Sequence, residues 1–184
     1  MKKNNKGFML AETIVTTVVI VSAMIGLYSI FNRLYNQYNK YNSYYNIDGK
    51  YAIINTVDYL LINDFNGMIN TIFENKQFFT IMKKEGDICE IFNPTDNTYY
   101  FNQDTCKTIR DSYNINEMII AEYDASVLEN DIKNDNMNQT FKEYIDYVIG
   151  YYDVSNDTTK FSYIVLVEIK DDNNYYYANM GIEW

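Results

Sequence analysis

No histidine occurs anywhere in this chain. Its absence removes the usual general base near neutral pH, the commonest metal ligand, and every nucleophile triad built on imidazole. Carboxylates remain as candidate acid–base groups, and Glu85, Asp87 and Glu90 lie close together in sequence. Their spacing fits a solvated turn and strand edge better than a catalytic pair, which needs a pocket that desolvates one member. Cysteine is limited to Cys89 and Cys106, in no CxxC spacing, so a zinc-type site lacks ligands. The seven glycines form no phosphate-cradling loop. No cofactor and no enzymatic activity are expected. Cations are scarce as well, 15 Lys and Arg against 25 Asp and Glu, for a net charge of −10. Broad nucleic-acid binding, which depends on neutralising phosphates with cations, is not expected either.

What is present begins at the N-terminus. From Gly7 to Phe31 the chain is apolar and carries a single charge, Glu12. A run of about 24 residues at 1.5 Å rise makes roughly 36 Å of helix, enough to cross a bilayer core of about 30 Å. Lys2, Lys3 and Lys6 precede it with no acid among them, which holds the N-terminus in the cytoplasm and sends the rest of the chain outward. Arg33 and Lys40 follow the span and reduce that contrast. An acid at mid-membrane costs about 2.5–3.5 kcal/mol on insertion scales, so Glu12 needs a partner or a place near the helix start, where free amides and the macrodipole favour negative charge.

These residues together resemble the N-terminus of a type IV prepilin or pseudopilin: a short basic leader ending in Gly7, Phe8 as first mature residue, Glu12 as fifth, and an unbroken apolar helix beyond. The resemblance covers about the first 30 residues. It implies cleavage between Gly7 and Phe8 by a membrane-embedded prepilin peptidase, methylation of the new Phe8 amine, and a meeting of Glu12 with that cationic terminus in an adjacent copy. It also implies other pilin-like subunits and an assembly platform as partners, and a filament on the cell surface after assembly. Many major pilins kink this helix with a proline, whereas the sole proline here is Pro94, which points to a minor subunit. Gly26 offers a local weakness in its place.

Two rival readings use the same segment. Val21-Ser22-Ala23 resembles a signal-peptidase site, which would make Met24 the mature start. Alternatively, the helix is a permanent anchor for an extracellular binding module that never polymerises. Within the span, Ser22, Gly26 and Ser29 share one helical face and permit close helix–helix packing in lipid. Thr13, Thr16 and Thr17 can return their hydroxyls to preceding carbonyls.

Removing the leader lysines leaves a mature charge near −13. The expected divisions are a leader at 1–7, a transmembrane helix at 8–31, a helical stalk at 32–64 and an exported globular domain at 65–184. Tyr35, Tyr38, Tyr41, Tyr44 and Tyr45, among 20 tyrosines, keep to one side of the stalk. Asp48-Gly49 reads as a break, Lys50–Asn63 as a second helical segment, and Asn66-Gly67 as its close. Strands are predicted at Phe78–Lys83, Ile88–Phe92, Tyr99–Asn102 and Met118–Tyr123, with Pro94–Asn97 turning between the second and third. Gln139–Ile149 has helical spacing, and Asn130–Asn138 reads as a loop. Phe161–Ile169 and Tyr175–Ile182 flank Asp171–Asn174 as a final hairpin. Cys89 and Cys106 flank the Ile88–Asn102 hairpin and either form a disulfide across it or stay as two buried thiols. Asp153–Asp157 starts like a calcium loop, but Thr158 and Ile164 stand where glycine and glutamate are required. The fold class is therefore α+β: a long N-terminal membrane-rooted helix, a pilin-like spine, packed on a small antiparallel sheet.

Overall fold

The computed structural model describes residues 6–73, 77–93, 97–132, 137–152 and 162–183. It comprises two compact units, Met1–Asn42 and Ser43–Trp184. The first is built from α1 (Lys6–Ser43), 38 residues of unbroken helix. Nothing in its sequence stops it earlier: there is no proline, and its one interior glycine, Gly26, costs only about 1 kcal/mol relative to alanine.

The second unit contains α2 (Ile47–Ile62), α3 (Phe65–Phe73), β1 (Phe78–Lys83), β2 (Ile91–Asn93), β3 (Thr98–Phe101), α4 (Gln103–Ser112), β4 (Ile115–Glu122), a π-helical turn (Val127–Ile132), α5 (Gln139–Tyr152), β5 (Tyr163–Asp171) and β6 (Asn174–Ile182). Four strands form an antiparallel sheet in the order β1-β4-β5-β6, and β2 pairs with β3 in a separate ribbon. Together with the long apolar helix, this is an α+β fold.

Helices cover both faces of the sheet. On one face Ala52, Ile53 and Leu60 of α2 pack with Met118, Ile120, Val165, Val167 and Ala178. On the other, Phe141, Tyr144, Ile145 and Val148 of α5 and Leu128 of the π-helical turn pack with Ile119, Ile164, Leu166 and Tyr177. Double coverage explains why Ile164 to Ile169 is buried without a gap and shows no simple polar alternation. The edge strand β6 is closed by the chain itself. Tyr44 lies buried on the α5 face, the Asn46 amide donates to the Tyr177 carbonyl at 3.0 Å, and α2 then runs over the opposite face.

Several expected boundaries shift. The break falls at Tyr44–Asn46, not Asp48-Gly49, because Asn46 caps α2 by accepting from the Gly49 amide at 2.7 Å. The expected stalk at 32–64 is divided: α2 belongs to the compact unit that begins at Ser43. Asn66-Gly67 closes nothing; Asp64, at φ 64°, makes the turn, and its carboxylate accepts from the Gly67 amide to open α3. The strand expected at Ile88–Phe92 is confined to Ile91–Asn93, with Ile88 only bridging to Lys83. A helix missed in the sequence, α4, starts where the Asn102 side chain accepts from Thr105 N at 2.9 Å. Residues 130–132 of the expected loop belong to the π-helical turn, while 133–136 lie outside the described residues, as do Pro94 and the Asp153–Asp157 calcium-like segment. The last hairpin is tighter than read, since Asp171 pairs with Asn174 across Asp172-Asn173. Asp64, Asp87, Asn97, Asn114 and Asp172 all adopt positive φ, so Asp and Asn make the left-handed turns that glycine often makes.

Candidate functional site

α1 carries the residues singled out for processing and assembly. Its first turn contains Gly7, and Phe8 follows directly, so the expected cleavage bond is helical. Glu12 is four residues beyond Phe8, one helical turn, and is exposed. Its carbonyl accepts the Thr16 hydroxyl at 2.8 Å, and the Thr13 carbonyl accepts that of Thr17 at 2.8 Å, which masks two polar groups within the helix. Ser22, Gly26 and Ser29 are exposed, and a Cβ placed on Gly26 would meet nothing within 4 Å. Leu10, Val15, Val18, Met24, Ile25, Leu27 and Phe31 are each more than half exposed. The helix is long and apolar enough to cross a membrane, and its most apolar window is 0 % buried, unlike a core helix of similar composition. A helix apolar all round needs lipid or other helices about it. An N-terminal export signal satisfies the same criteria of length and composition.

The expected tyrosine cluster divides. Tyr35, Tyr38 and Tyr41 are exposed on α1, whereas Tyr44 is buried against Tyr144 and Tyr177, with ring centroids 5.1 and 5.7 Å away. Tyr45 and Tyr147 share a 2.6 Å hydrogen bond, and burial pushes the Tyr45 hydroxyl pKa up.

The two cysteines meet. Cys89 and Cys106 form a disulfide with Cα atoms 5.5 Å apart, linking the segment before β2 to α4. The bond is buried and has ionic contacts nearby. Arg110 Nη1 donates to Asp87 Oδ1 at 2.6 Å, and Lys107 Nζ lies 2.8 Å from Asp87 Oδ2. Hydrogen bonds from Lys107 and Arg110 hold the Asp87 carboxyl below the ordinary carboxylate range. Asp87 is thus a clasp between a turn and a helix, while Glu85 and Glu90 are exposed. The structure does not assemble this trio into an acid–base site.

A different acidic pair, missed in the sequence, is buried. Lys83, Glu117, Glu168 and Tyr177 form one row across all four strands of the sheet. Lys83 Nζ donates to Glu117 Oε1 at 2.9 Å, and the Glu168 carboxyl accepts from Asn116 Nδ2 at 2.5 Å and from Asn138 Nδ2 at 3.2 Å. Burial, reinforced by the Glu117 charge, pushes the Glu168 pKa up. The available signal was a glutamate inside the apolar run Val165-Leu166-Val167-Glu168-Ile169. Beside the row, Lys83, Glu85, Asn116, Glu117, Asn138 and Lys170 help line a polar cavity of about 380 Å³. Among the described residues no group of three or more Cys, Asp or Glu side chains is arranged to hold a metal ion.

No family model, curated protein or solved structure matches the chain.

Proposed function

We propose that the chain is a structural subunit, of the minor kind, in a type IV pilus-like or pseudopilus filament, processed by a prepilin peptidase and assembled through α1. The observation that carries this reading is the joint spacing of Lys6, Gly7, Phe8 and Glu12 at the head of an unbroken helix whose apolar surface is exposed. In this reading α1 holds the subunit in the membrane with its N-terminus cytoplasmic and its C-terminal domain outside. Removal of the leader then gives Phe8 a cationic amine.

Glu12 is the natural counter-ion for that amine in a neighbouring copy. Attraction between opposite charges grows as the dielectric falls, and an unpaired charge among packed apolar helices is heavily penalised. The pairing would therefore select one axial stagger over others, while Ser22, Gly26 and Ser29 would let neighbouring helices approach. The disulfide supports folding of the second unit in an oxidising compartment. Glu12→Ala tests the reading: the variant should reach the membrane at wild-type levels and enter filaments poorly. Equal incorporation of both proteins contradicts the assembly role and leaves the permanently anchored binding module.

A further inference from the structure

A bulge in β4 opens a polar hollow where the start of α5 meets the sheet. Ile115 pairs with Ile169 and Glu117 with Glu168, so Asn116 is the extra residue, with no partner position on β5. Bulges re-aim side chains. Here Asn116 joins Glu117 on the α5 face, and its Nδ2 donates to Glu168 Oε1 at 2.5 Å. Strand alternation puts Lys170, two residues beyond Glu168, and Tyr175, opposite Lys170, on that same face. Asn138, just before α5, closes the side by donating to Glu168 Oε2 at 3.2 Å.

The cavity so formed, about 380 Å³, falls within the range of roughly 300–1,000 Å³ usual for small-molecule sites. A second polar cavity of about 480 Å³ shares Asn116 and Lys170 with it and extends to Lys84, Asn114 and the Asp171-Asp172 turn. Together they make a groove along the end of the sheet. Its floor is held in place. Lys83 Nζ lies 2.9 Å from Glu117 Oε1, with side chains 18 % and 3 % exposed, and Glu168 is tied to both Asn116 and Asn138. Burying such groups costs stability that a well-packed apolar pair in their place would not. Groups fixed beforehand in this way bind a partner with little further ordering.

The lining selects the class of ligand. Lys83, Lys170, Asn116 and Asn138 offer donors, whereas Glu85 and Glu117 offer acceptors. Both signs of charge are therefore present round one small volume. An anion meets Glu85 and Glu117, a cation meets Lys83 and Lys170, and an apolar molecule strips water from all of them without replacing it. A neutral molecule rich in hydroxyls meets no like charge, and each of its hydroxyls can both donate and accept. Tyr175 and Met137 add the apolar wall that suits the C–H face of a sugar ring. Lys170 Nζ stands over the Tyr175 ring at 5.5 Å from its centroid, which keeps the ammonium at the boundary that the two cavities share.

We propose that this groove binds a short neutral oligosaccharide, with one ring in the cavity beside Tyr175 and the chain continuing past Asn116 and Lys170 into the second cavity. Every residue invoked belongs to the second unit, and none to α1. The binding site thus stands apart from the filament reading, and failure of either leaves the other intact.

The test is titration of the full-length protein, held in a detergent without a sugar headgroup and followed by NMR, with maltotriose, cellotriose and triacetylchitotriose. At least one of these neutral trisaccharides should saturate the protein with a Kd below about 10 mM. Trigalacturonate and fully deacetylated chitotriose, the anionic and cationic counterparts, should bind at least about tenfold more weakly than that sugar. Lys170→Ala removes an exposed side chain and should weaken binding about five- to tenfold at an unchanged melting temperature. Absence of saturation by all three neutral sugars overturns the proposal, as does a charged trisaccharide that binds as tightly as the neutral one. Equal affinity of Lys170→Ala and the wild type places the sugar elsewhere and overturns it too.

Discussion

Gly49 in the first turn of α2 lies so close to β6 that a Cβ on it would stand 2.8 Å from the Cβ of Ala178. The same added atom would be 3.2 Å from Val167 Cγ1. The missing side chain sets how closely helix and sheet approach. An alanine Cβ offers no rotamer that could move aside, so relief requires a shift of the helix. Gly49→Ala should therefore destabilise the domain by about 1–3 kcal/mol from overpacking, reduced by up to about 1 kcal/mol through better helix propensity. Chemical denaturation of the two proteins measures it, and a stabilised variant would refute the close approach.

Loss of the Cys89–Cys106 bond frees a loop with a sequence separation of 17 between α4 and the segment before β2. The chain-entropy account assigns a loop of this size about 3 kcal/mol. The double variant Cys89→Ser, Cys106→Ser should lose about that much stability in denaturant melts, and the wild type under reductant should approach the same midpoint. Coincident melts with and without reductant would contradict the pairing.

The clasp at Asp87 predicts a pH dependence whose sign follows from its lowered pKa. With its folded pKa lowered by Lys107 and Arg110, Asp87 contributes stability above its unfolded value of about 3.9 and loses it as pH falls through the folded value. Asp87→Asn keeps a residue that tolerates the positive φ of this position and removes the charge. The variant should be less stable than wild type at neutral pH, with the gap narrowing below about pH 4. High salt should narrow it at neutral pH as well, because Asp87 is exposed. A gap insensitive to both acid and salt would mean that the ion pairs contribute nothing.

Much of the fold was legible because its patterns are local. The apolar run of α1, the helical period of Phe141, Tyr144, Ile145 and Val148, and the final hairpin each declare themselves within one continuous stretch of chain, and all occupy their expected class of element. Errors arose where one residue type serves two purposes. Gly49 and Gly67 read as breakers, yet one permits close packing and the other follows the turn at Asp64. α4 escaped notice because Gln103–Ser112 is mostly polar and buries only Cys106 and Arg110, so its apolar stripe is too thin to show a period. The site divides the same way. Gly7, Phe8 and Glu12 are readable as a linear pattern, whereas the Glu117–Glu168 pair arises only from strand register between distant segments.

The central claim is that a peptidase frees the Phe8 amine for Glu12 of a neighbour, and intact mass with N-terminal sequencing of the protein from its native membrane tests it most directly. The account predicts a chain that begins at Phe8, lighter by the first seven residues and heavier by a single methyl group. A chain still beginning at Met1, or one beginning at Met24, would contradict it.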